Sequence, residues 1–545
     1  MKIWIACAGA LVLAAACGSS KDATAALTAM QLADGKSGMV HYASKSGSGD
    51  KVTFKDVVIE EQGATAGNGL KAKTMTLGGL AMTKDGKPWF SDMTLSGITP
   101  EKDQPGLTLT LATVTVKHAN ESTGIFLASA FTKAGPGTPP PFDQWELDKL
   151  SFNGLKVNGD LAKMGQGKGA FNVFLDEASI SDLKKTVVGA SHLSGFKGDF
   201  DIPPELTGGY PVVGKFDFGT ADMKGLRAGL FADAYKAGAA MQAGGDPSAA
   251  KPAQTSAQAN IFAKMTSPID PGYDALTWSG VNIQASGVTL TSTKVDQKAT
   301  RDANGVVTAF ASPRATITFA ANAADGQLGA LASTGMAAIG YQKVELYAES
   351  DATYDPASET ARIKKYDLGM TDGFDLQVTG GFQGLLKALT SLMSSLTAME
   401  TQTLSPATPD APKPAEPDMS GLEQLKVVDL DLTLTDKSLV NHLLGLGGGD
   451  PETLRNDIVT QIKSMGVDFT KAGVDKSVSD ELTAAVASFV KQPGVLNIKL
   501  KPAQPVALAA KDAKLTKATL GFSATATPGP ATPATPAPPA PAKPK

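Results

Sequence analysis

Cysteine is almost absent from this chain of 545 residues, since both copies, Cys7 and Cys17, lie near its beginning. The long remainder therefore has no means of forming a disulfide framework, a thiolate metal site, an iron–sulfur cluster or a cysteine nucleophile. An exported protein of this size can use disulfides in an oxidising compartment. A single cysteine kept at position 17 therefore calls for another explanation than a disulfide.

Histidine is also scarce, and its copies never stand at the spacing of a metal site. The four histidines are His41, His118, His192 and His442. The sequence has no nucleophile elbow of the Gly-x-Ser-x-Gly type and no phosphate loop. We therefore predict no bound metal, no cofactor and no catalytic residue.

Neither sign of charge dominates, because 50 basic residues accompany 54 acidic ones and the net charge is −4. This balance excludes the electrostatic footprint of a nucleic-acid-binding protein. Aromatic residues make up only 6% of the chain, which weighs against sugar recognition. Hydrophobic residues reach 42%, enough for a core, and the length favours two or more packed units or one elongated sheet.

Two short patterns resemble ligand sites, and each also has a structural interpretation. Gly165 to Ala170 matches the loose form Gly-x-Gly-x-x-Ala, but no βαβ pattern follows it, so we predict a turn. Asp429 and Asp431 share one face of a predicted strand, where they either bind Ca²⁺ or simply face solvent. No EF-hand loop surrounds them, which favours solvation.

A third pattern brings a serine, a histidine and two aspartates close together in sequence. Ser191 and His192 precede Asp199 and Asp201 by only a few residues. A catalytic triad is defined by geometry, which the sequence does not supply. The assembly stays a weak hypothesis, and we name no catalytic residue from it.

The strongest signal lies in the first seventeen residues. Lys2 precedes an apolar or small run from Ile3 to Ala16, which has the length of a signal-peptide core and is too short to span a bilayer. The run ends in small residues immediately before Cys17, and Gly18 follows. This arrangement resembles a bacterial lipobox, with Leu13 one place earlier than the usual leucine.

The lipobox resemblance implies that the chain is cut before Cys17 and that this cysteine carries lipid. Glycine after the cysteine resembles lipoproteins sorted to the outer membrane, so we expect a lipid-anchored protein there, facing the periplasm. The alternative is an ordinary secretory signal cleaved after Ala16, which the small residues Ala14 and Ala16 also permit. The scarcity of cysteine favours lipidation at Cys17.

Alternation of apolar and polar residues predicts many half-buried strands. The clearest examples are Val428 to Thr435 and Leu107 to Leu111, after which Val114 and Val116 change parity and require a bulge or turn near Ala112 and Thr113. Further strands are predicted at Leu150–Val157, Val281–Leu290, Ala315–Phe319, Val344–Ala348 and Leu496–Leu500. The predicted fold class is α+β, predominantly antiparallel, with a long curved sheet or sandwich and a few peripheral amphipathic helices.

A short pattern, apolar-x-apolar-x-Gly-apolar, recurs at irregular spacing. The pattern occurs four times, and its glycine is in turn Gly79, Gly97, Gly154 and Gly280. The irregular spacing excludes a strict solenoid or propeller. Glycine inside a strand more often marks a bulge or bend than a ligand contact, so we predict bends at these positions.

Four helices are expected from spacing and capping residues. They are predicted at Asp222–Gln242, Gly381–Gln402, Asp450–Met465 with Gly466 as its stop, and Ser479–Gln492. The predicted organisation is a signal peptide at 1–16, a lipidated N-terminus and tether at 17–50, a β-rich body at 51–400, a Pro-rich linker at 401–420, an α+β region at 421–524 and a disordered Pro/Ala/Thr tail at 525–545.

These features together predict a non-enzymatic, membrane-anchored lipoprotein of the periplasm that binds or carries lipids or other hydrophobic ligands. Its style of strand is similar to that of AsmA-like β-rich proteins of the Gram-negative envelope, a resemblance that transfers no residue. The main alternative is a structural or assembly scaffold of the outer membrane that binds envelope proteins, and a secreted hydrolase is the third. Strand alternation is the same whether the inner face meets another sheet or a ligand, so the sequence leaves these open.

Overall fold

Antiparallel strands dominate the fold, with shorter stretches of helix. The computed structural model describes residues 20–60, 69–135, 139–230, 261, 264–393, 423–446, 450–471, 474–507 and 515–529. The predicted class, α+β and predominantly antiparallel, is confirmed. The chain divides into two compact units, the first being Met1–Gly335 with Leu389–Met419 and the second Met336–Ala388 with Ser420–Lys545.

The strands of the first unit form one long sheet, apart from the small separate hairpin of β5 and β6. Their bounds are β1 Val40–His41, β2 Ser44–Ser48, β3 Lys51–Ile59, β4 Leu70–Gly78, β5 Ala81–Met82, β6 Pro88–Trp89, β7 Asp92–Pro100, β8 Leu107–Lys117, β9 Leu147–Asp160, β10 Ala170–Lys184, β11 Val187–Ser194, β12 Lys197–Ile202, β13 Val212–Asp217, β14 Ala221–Arg227, β15 Ala275–Trp278, β16 Asn282–Ala285, β17 Val288–Ser292, β18 Val295–Arg301 and β19 Val307–Ala321.

The second unit contains a shorter antiparallel sheet. Its strands are β20 Lys343–Asp355, β21 Thr360–Met370, β22 Phe374–Gln383, β23 Lys426–Asp436, β24 Gly494–Leu500, β25 Val506–Ala507 and β26 Ser523–Pro528. The α-helices with defined bounds in the described ranges are α1 Ser20–Ala29, α2 Glu121–Ser129, α3 Pro204–Thr207, α4 Gln327–Ala338, α5 Leu439–Leu446, α6 Pro451–Lys471, α7 Lys476–Lys491 and α8 Lys517–Leu520. Residues 385–393 are also helical. Among these described residues, no helix is long and apolar enough to cross a membrane.

Between the long strands β10 and β19, the first sheet contains two rows of short strands, one on each side of a break in pairing. The second half of β10 pairs with β11 and its first half with β12. The row of β11 continues through β14, β15 and β18, and the row of β12 continues through β13, β16 and β17. Both rows end on the single long strand β19.

A line of interrupted pairing, which we call the crease, crosses the sheet where these strands bend. It contains five residues with positive φ, namely Asp56, Gly97, Gly154, Gly195 and Gly219. The register of β9 on β8 and on β10 is the same on both sides of Gly154, which is itself unpaired. Gly79 and Gly280 of the recurring pattern also have positive φ, a conformation that glycine adopts at little cost. The bends predicted at the repeated glycines are therefore confirmed.

The crease keeps apolar side chains on one side of the sheet although their parity changes. In β8, Leu111 and Val114 are three residues apart and yet belong to one buried cluster. Ala112 lies between them and is the residue at which pairing with both neighbouring strands breaks. The bulge or turn predicted near Ala112 and Thr113 is absent, since β8 continues through them and the parity changes at the crease without adding a residue to the register.

Helices α1 and α2 cover the apolar side of the first strands. Leu27 of α1, Met30 just after it and Leu127 of α2 belong to the same buried cluster as Phe54 of β3 and Met75 of β4. Burying one such side chain contributes about 1.5–3 kcal/mol. This cluster, which extends to the start of β11, is the largest core of the described residues.

The described part of the chain starts with α1, whose first residue, Ser20, is three positions after Cys17 in sequence. The range 17–50, assigned from the sequence to a lipidated N-terminus and tether, therefore contains α1, β1 and β2. Ala23 and Ala26 of α1 are buried in the main core. The sequence does not predict α1, because its small residues form only a narrow apolar stripe. The helices that the sequence predicts have a clearer spacing of leucines.

The segment predicted as a helix from Asp222 to Gln242 begins instead as strand β14, and the prediction is wrong there. Met223 alternates with the exposed Asp222 and Lys224, a period of two that pairs with β11 and β15. The predicted helix Gly381–Gln402 likewise starts after strand β22. Residues 231–242 and 394–402 lie outside the described part of the chain.

Helix α6 continues to Lys471, past Gly466, which the sequence predicts as its stop. The carbonyl oxygen of Gly466 accepts a hydrogen bond of 2.7 Å from the hydroxyl of Ser479 in α7. A Cβ on Gly466 would lie 2.9 Å from Cγ2 of Thr483. The glycine therefore allows two helices to approach closely instead of ending one of them.

Strand β26 extends into the tail that the sequence predicts to be disordered from Thr525. Thr525 to Pro528 pair with β24, where Ala526 lies opposite Leu496. Small residues alternating with threonine suffice for a strand once a hydrophobic neighbour supplies the pairing edge. The remainder of the tail and the linker 401–420 lie outside the described residues.

Candidate functional site: an open apolar face of the first sheet

The apolar side of the first sheet changes character along the molecule. Over the first strands α1 and α2 cover it, whereas from β10 to β19 most of its apolar side chains are only half-buried. The buried exceptions are Leu183, Val188, Ala299 and Val307. Within the described part of the chain, no helix packs extensively against β10 to β19. We call this half-buried region the open face.

The register of the strands places the aliphatic residues of the open face in continuous rows. Ile180 of β10 lies opposite Ser191, which lies opposite Met223, which in turn lies opposite Leu276 of β15. A second row joins Phe152, Ala178, Leu193, Ala221 and Trp278. Phe152 and Ile180 pack against the main core, so the rows continue on its side of the sheet.

These rows form the floor of an open groove of about 300 Å³. Most of its lining is apolar, including Phe152, Ile180, Leu193, Met223 and Leu276. Binding sites for small apolar molecules are concave and lined mainly by such side chains, with few polar groups. The groove therefore has the surface chemistry of a site for a hydrocarbon chain.

The other half of the open face carries phenylalanine rings that lie over glycines of neighbouring strands. Phe171 lies opposite Gly159, and a Cβ on that glycine would come within 2.1 Å of the ring. Phe200 lies opposite Gly214 in the same way, with a corresponding distance of 2.7 Å. The rings shield the backbone and leave a shallow, smooth apolar floor.

A cluster of three phenylalanines lies beside the crease. The ring centroids of Phe196 and Phe218 are 5.3 Å apart, and those of Phe196 and Phe216 are 5.4 Å apart. All three rings are half-buried. Such contacts contribute roughly 0.5–1.5 kcal/mol beyond burial, so the cluster stabilises the bend and also exposes aromatic surface.

The opposite face of the sheet is polar, and it separates the residues of the proposed triad. Nδ1 of His192 lies 2.7 Å from Oδ1 of Asp222 on β14. Ser191 precedes His192 in the same strand and therefore points to the other face. Asp199 accepts a hydrogen bond of 2.7 Å from Asn172, so the structure does not assemble a triad from these residues.

The other histidines make similar local contacts. Nε2 of His41 lies 2.9 Å from Glu60, and Nδ1 of His118 lies 2.7 Å from Asp148. The ring of His442 packs edge-on against Tyr341, with centroids 4.7 Å apart. In the described ranges, no group of three or more histidine, cysteine or acidic residues is arranged to hold a metal ion.

The two aspartates of β23 form ion pairs with cations of other strands, Arg362 of β21, which lies two strands away, and Lys499 of the adjacent β24. Asp429 accepts hydrogen bonds from the guanidinium of Arg362, and Asp431 lies 2.6 Å from Nζ of Lys499. Cross-strand cations occupy the carboxylates, so the pair has no geometry of a Ca²⁺ site. The segment Gly165–Ala170 forms the turn between β9 and β10, as predicted.

The most deeply buried charge of the first unit belongs to Asp270, whose side chain has no exposed surface. Both of its oxygens accept hydrogen bonds from Arg301, and Arg227 donates a third. Burial alone would raise the pKa of Asp270, but the hydrogen bonds from Arg301, Thr266 and Gly272 lower it below its ordinary value. Every contact is internal, so this cluster ties strands together and offers no free charge to a ligand.

Cys17, the residue predicted to carry lipid, lies outside the described residues. Sequence reasoning identified several strands of the open face, including Leu150–Val157, but not the face itself. Burial depends on which elements cover the sheet, and alternation is the same for a covered and an uncovered strand. In the sequence, the repeated glycines, which mark where strands bend, were the signal that the apolar face continues from one strand to the next.

Comparison with known proteins adds one match. Residues 367–527, less than a third of the chain, match the model of a family described as "Uncharacterized protein". That description names no enzymatic activity, and the matched range does not include the open face. No curated protein and no solved structure matches the chain.

Proposed function

We propose that the protein is a non-enzymatic, lipid-anchored protein of the cell envelope that binds acyl chains on the open face of its first sheet. Lipid at Cys17 would hold the molecule at a membrane, and that membrane would supply the ligand. The groove would bind one hydrocarbon chain at a time. The half-buried apolar rows from Phe152 to Leu276 are the observation that carries this proposal.

The dimensions of the open face suit an extended chain. Five strand intervals separate β10 from β19, which at about 4.8 Å each corresponds to roughly 24 Å across the strands. Each CH₂ group that leaves water on this surface contributes about 0.8 kcal/mol. Several CH₂ groups in contact with the floor are therefore enough for measurable binding without any specific polar contact.

The proposal is tested on the protein with Cys17→Ser, which removes the lipid without touching the sheet. Purified from cells, this protein should carry acyl lipid that native mass spectrometry detects as added mass. Adding Leu276→Lys should reduce the lipid-bound fraction at least tenfold, because a charge then lies in the groove. Thr277→Lys, on the opposite face of the same strand, is the matched control and should retain lipid.

Absence of lipid from the Cys17→Ser protein, together with no binding of added fatty acid, would contradict the proposal. The scaffold function would then be the better interpretation, with the open face as a surface for partner proteins. Equal loss in both lysine variants would show that the groove is not the site.

A further inference from the structure

The distance between the proposed anchor and the folded protein is unusually short. Helix α1 begins at Ser20, and Ala23 is already buried in the main core. Three steps along the chain lead from Cys17 to Ser20, about 10 Å when extended. The next three, from Ser20 to Ala23, lie in α1, where each adds about 1.5 Å. If Cys17 carries lipid, as the proposed function requires, the surface around α1 has to lie close to the bilayer.

The surface around α1 combines an apolar groove with exposed lysines. The groove has a volume of about 500 Å³ and contains Ala29 of α1, Pro88 of β6, and Ile125 and Phe126 of α2. Its position shows that α1, α2 and the β5–β6 hairpin form one continuous surface, which we call the helical cover. Lys87 of the hairpin lies at the edge of the groove.

The composition of the helical cover fits a membrane interface. Lys84 and Lys87 are exposed in the hairpin, and Lys133 is exposed just beyond α2. Three acidic residues, Asp85 of the hairpin, Asp22 of α1 and Glu121 of α2, are exposed on the same surface. Lysine near a bilayer keeps its ammonium group among the headgroups while its aliphatic stem covers apolar surface. Ile125 and Pro88, both half-buried, supply the apolar part between these lysines.

We infer that the helical cover lies against the bilayer, with Lys84 and Lys87 at the headgroups of acidic phospholipids. The length of chain between Cys17 and α1 selects this surface, and the lysines suit the charge of the partner. The core side chains of α1 and the rows of the open face share one side of the sheet. The open face is thus on the membrane-facing side, where acyl chains are supplied.

The test uses the lipidated full-length protein in vesicles of phosphatidylethanolamine and phosphatidylglycerol. A fluorophore is attached to a single introduced cysteine, Ala29→Cys in the helical cover or Lys71→Cys as control. Ala72 is buried in the main core, so Lys71 points to the opposite face of the sheet. A quencher carried by the lipids should reduce emission at position 29 several-fold more than at position 71.

Equal quenching at both positions, in a protein that floats with the vesicles, would overturn the placement of the helical cover alone. A protein that fails to float would overturn both this placement and the proposed anchor. In the protein with Cys17→Ser, Lys84→Glu and Lys87→Glu should each weaken binding to the same vesicles by about fivefold. Lys71→Glu should leave that binding unchanged, and an equal effect of all three would also contradict the inference.

Discussion

Gly154 in the middle of β9 shows how one residue determines the course of the sheet. Its φ of 68° is unfavourable for any residue with a side chain. A Cβ at this position would also lie 2.7 Å from Cβ of Ala112 on the neighbouring strand. The glycine is therefore required both for the bend and for the close approach of β8 and β9.

We predict that Gly154→Ala lowers the free energy of unfolding by about 2–4 kcal/mol, the sum of backbone strain and crowding. Gly165→Ala is the control, because its φ is 75° and no heavy atom lies within 4 Å of the added Cβ. It should cost only about 1–2 kcal/mol. Equal costs in chemical denaturation would show that crowding against Ala112 is unimportant.

Asp270 is the residue whose charge matters most for the first unit. Asp270→Asn leaves Arg301 and Arg227 without their common partner, so we expect a loss of about 3–5 kcal/mol in the free energy of unfolding. Asp296→Asn, which breaks the exposed 3.0 Å pair with Lys294, should change stability little.

The effect of Asp270→Asn should also depend on pH. The pKa of Asp270 is lower in the folded protein than its ordinary value, so its contribution is present above about pH 4 and is lost as pH falls. Denaturation of both proteins at several pH values measures this directly. A difference that grows as the pH is lowered would contradict the ion-pair account.

At the scale of elements, strand β26 shows that the first residues of the C-terminal tail belong to the sheet of the second unit. A chain ending after Gly529 keeps every pair between β24 and β26. We predict that its melting temperature equals that of the full chain.

A chain ending after Ala524 loses the four pairs from Thr525 to Pro528, and Ala526 no longer packs against the second core. Its melting temperature should fall by several degrees. Unchanged melting of this shorter chain would show that β26 contributes nothing to the second unit.

The elements also show which parts of the fold were predictable. Strand β23 has strict alternation, and its aliphatic residues do lie opposite those of β24, as Leu432 lies opposite Ile498. Leu432 is only half-buried, however, because covering by helices is a tertiary property that alternation does not encode. The sequence predicts a helix at Met223 because Leu226 and Leu230, which follow it, fit a helical spacing. Pairing with β11 and β15 determined the strand conformation instead.

At the scale of the whole molecule, the class of fold followed from the sequence, and the candidate site did so only in part. The alternating strands and the repeated glycines predicted a long antiparallel sheet with bends. Which stretch of that sheet the described helices leave uncovered depends on where α1 and α2 pack, and α1 has no strong sequence signal. The open face was therefore visible only once the register linked Ile180 to Leu276 across the strands.

The most direct test of acyl binding by the open face is photocrosslinking in living cells. Benzoylphenylalanine replaces Met223, which lines the groove, in one protein and the exposed Lys224, on the other face of β14, in a second. After irradiation, mass spectrometry of the purified proteins should find a lipid adduct at position 223 and none at position 224. No adduct at position 223, or equal adducts at both positions, would contradict the account.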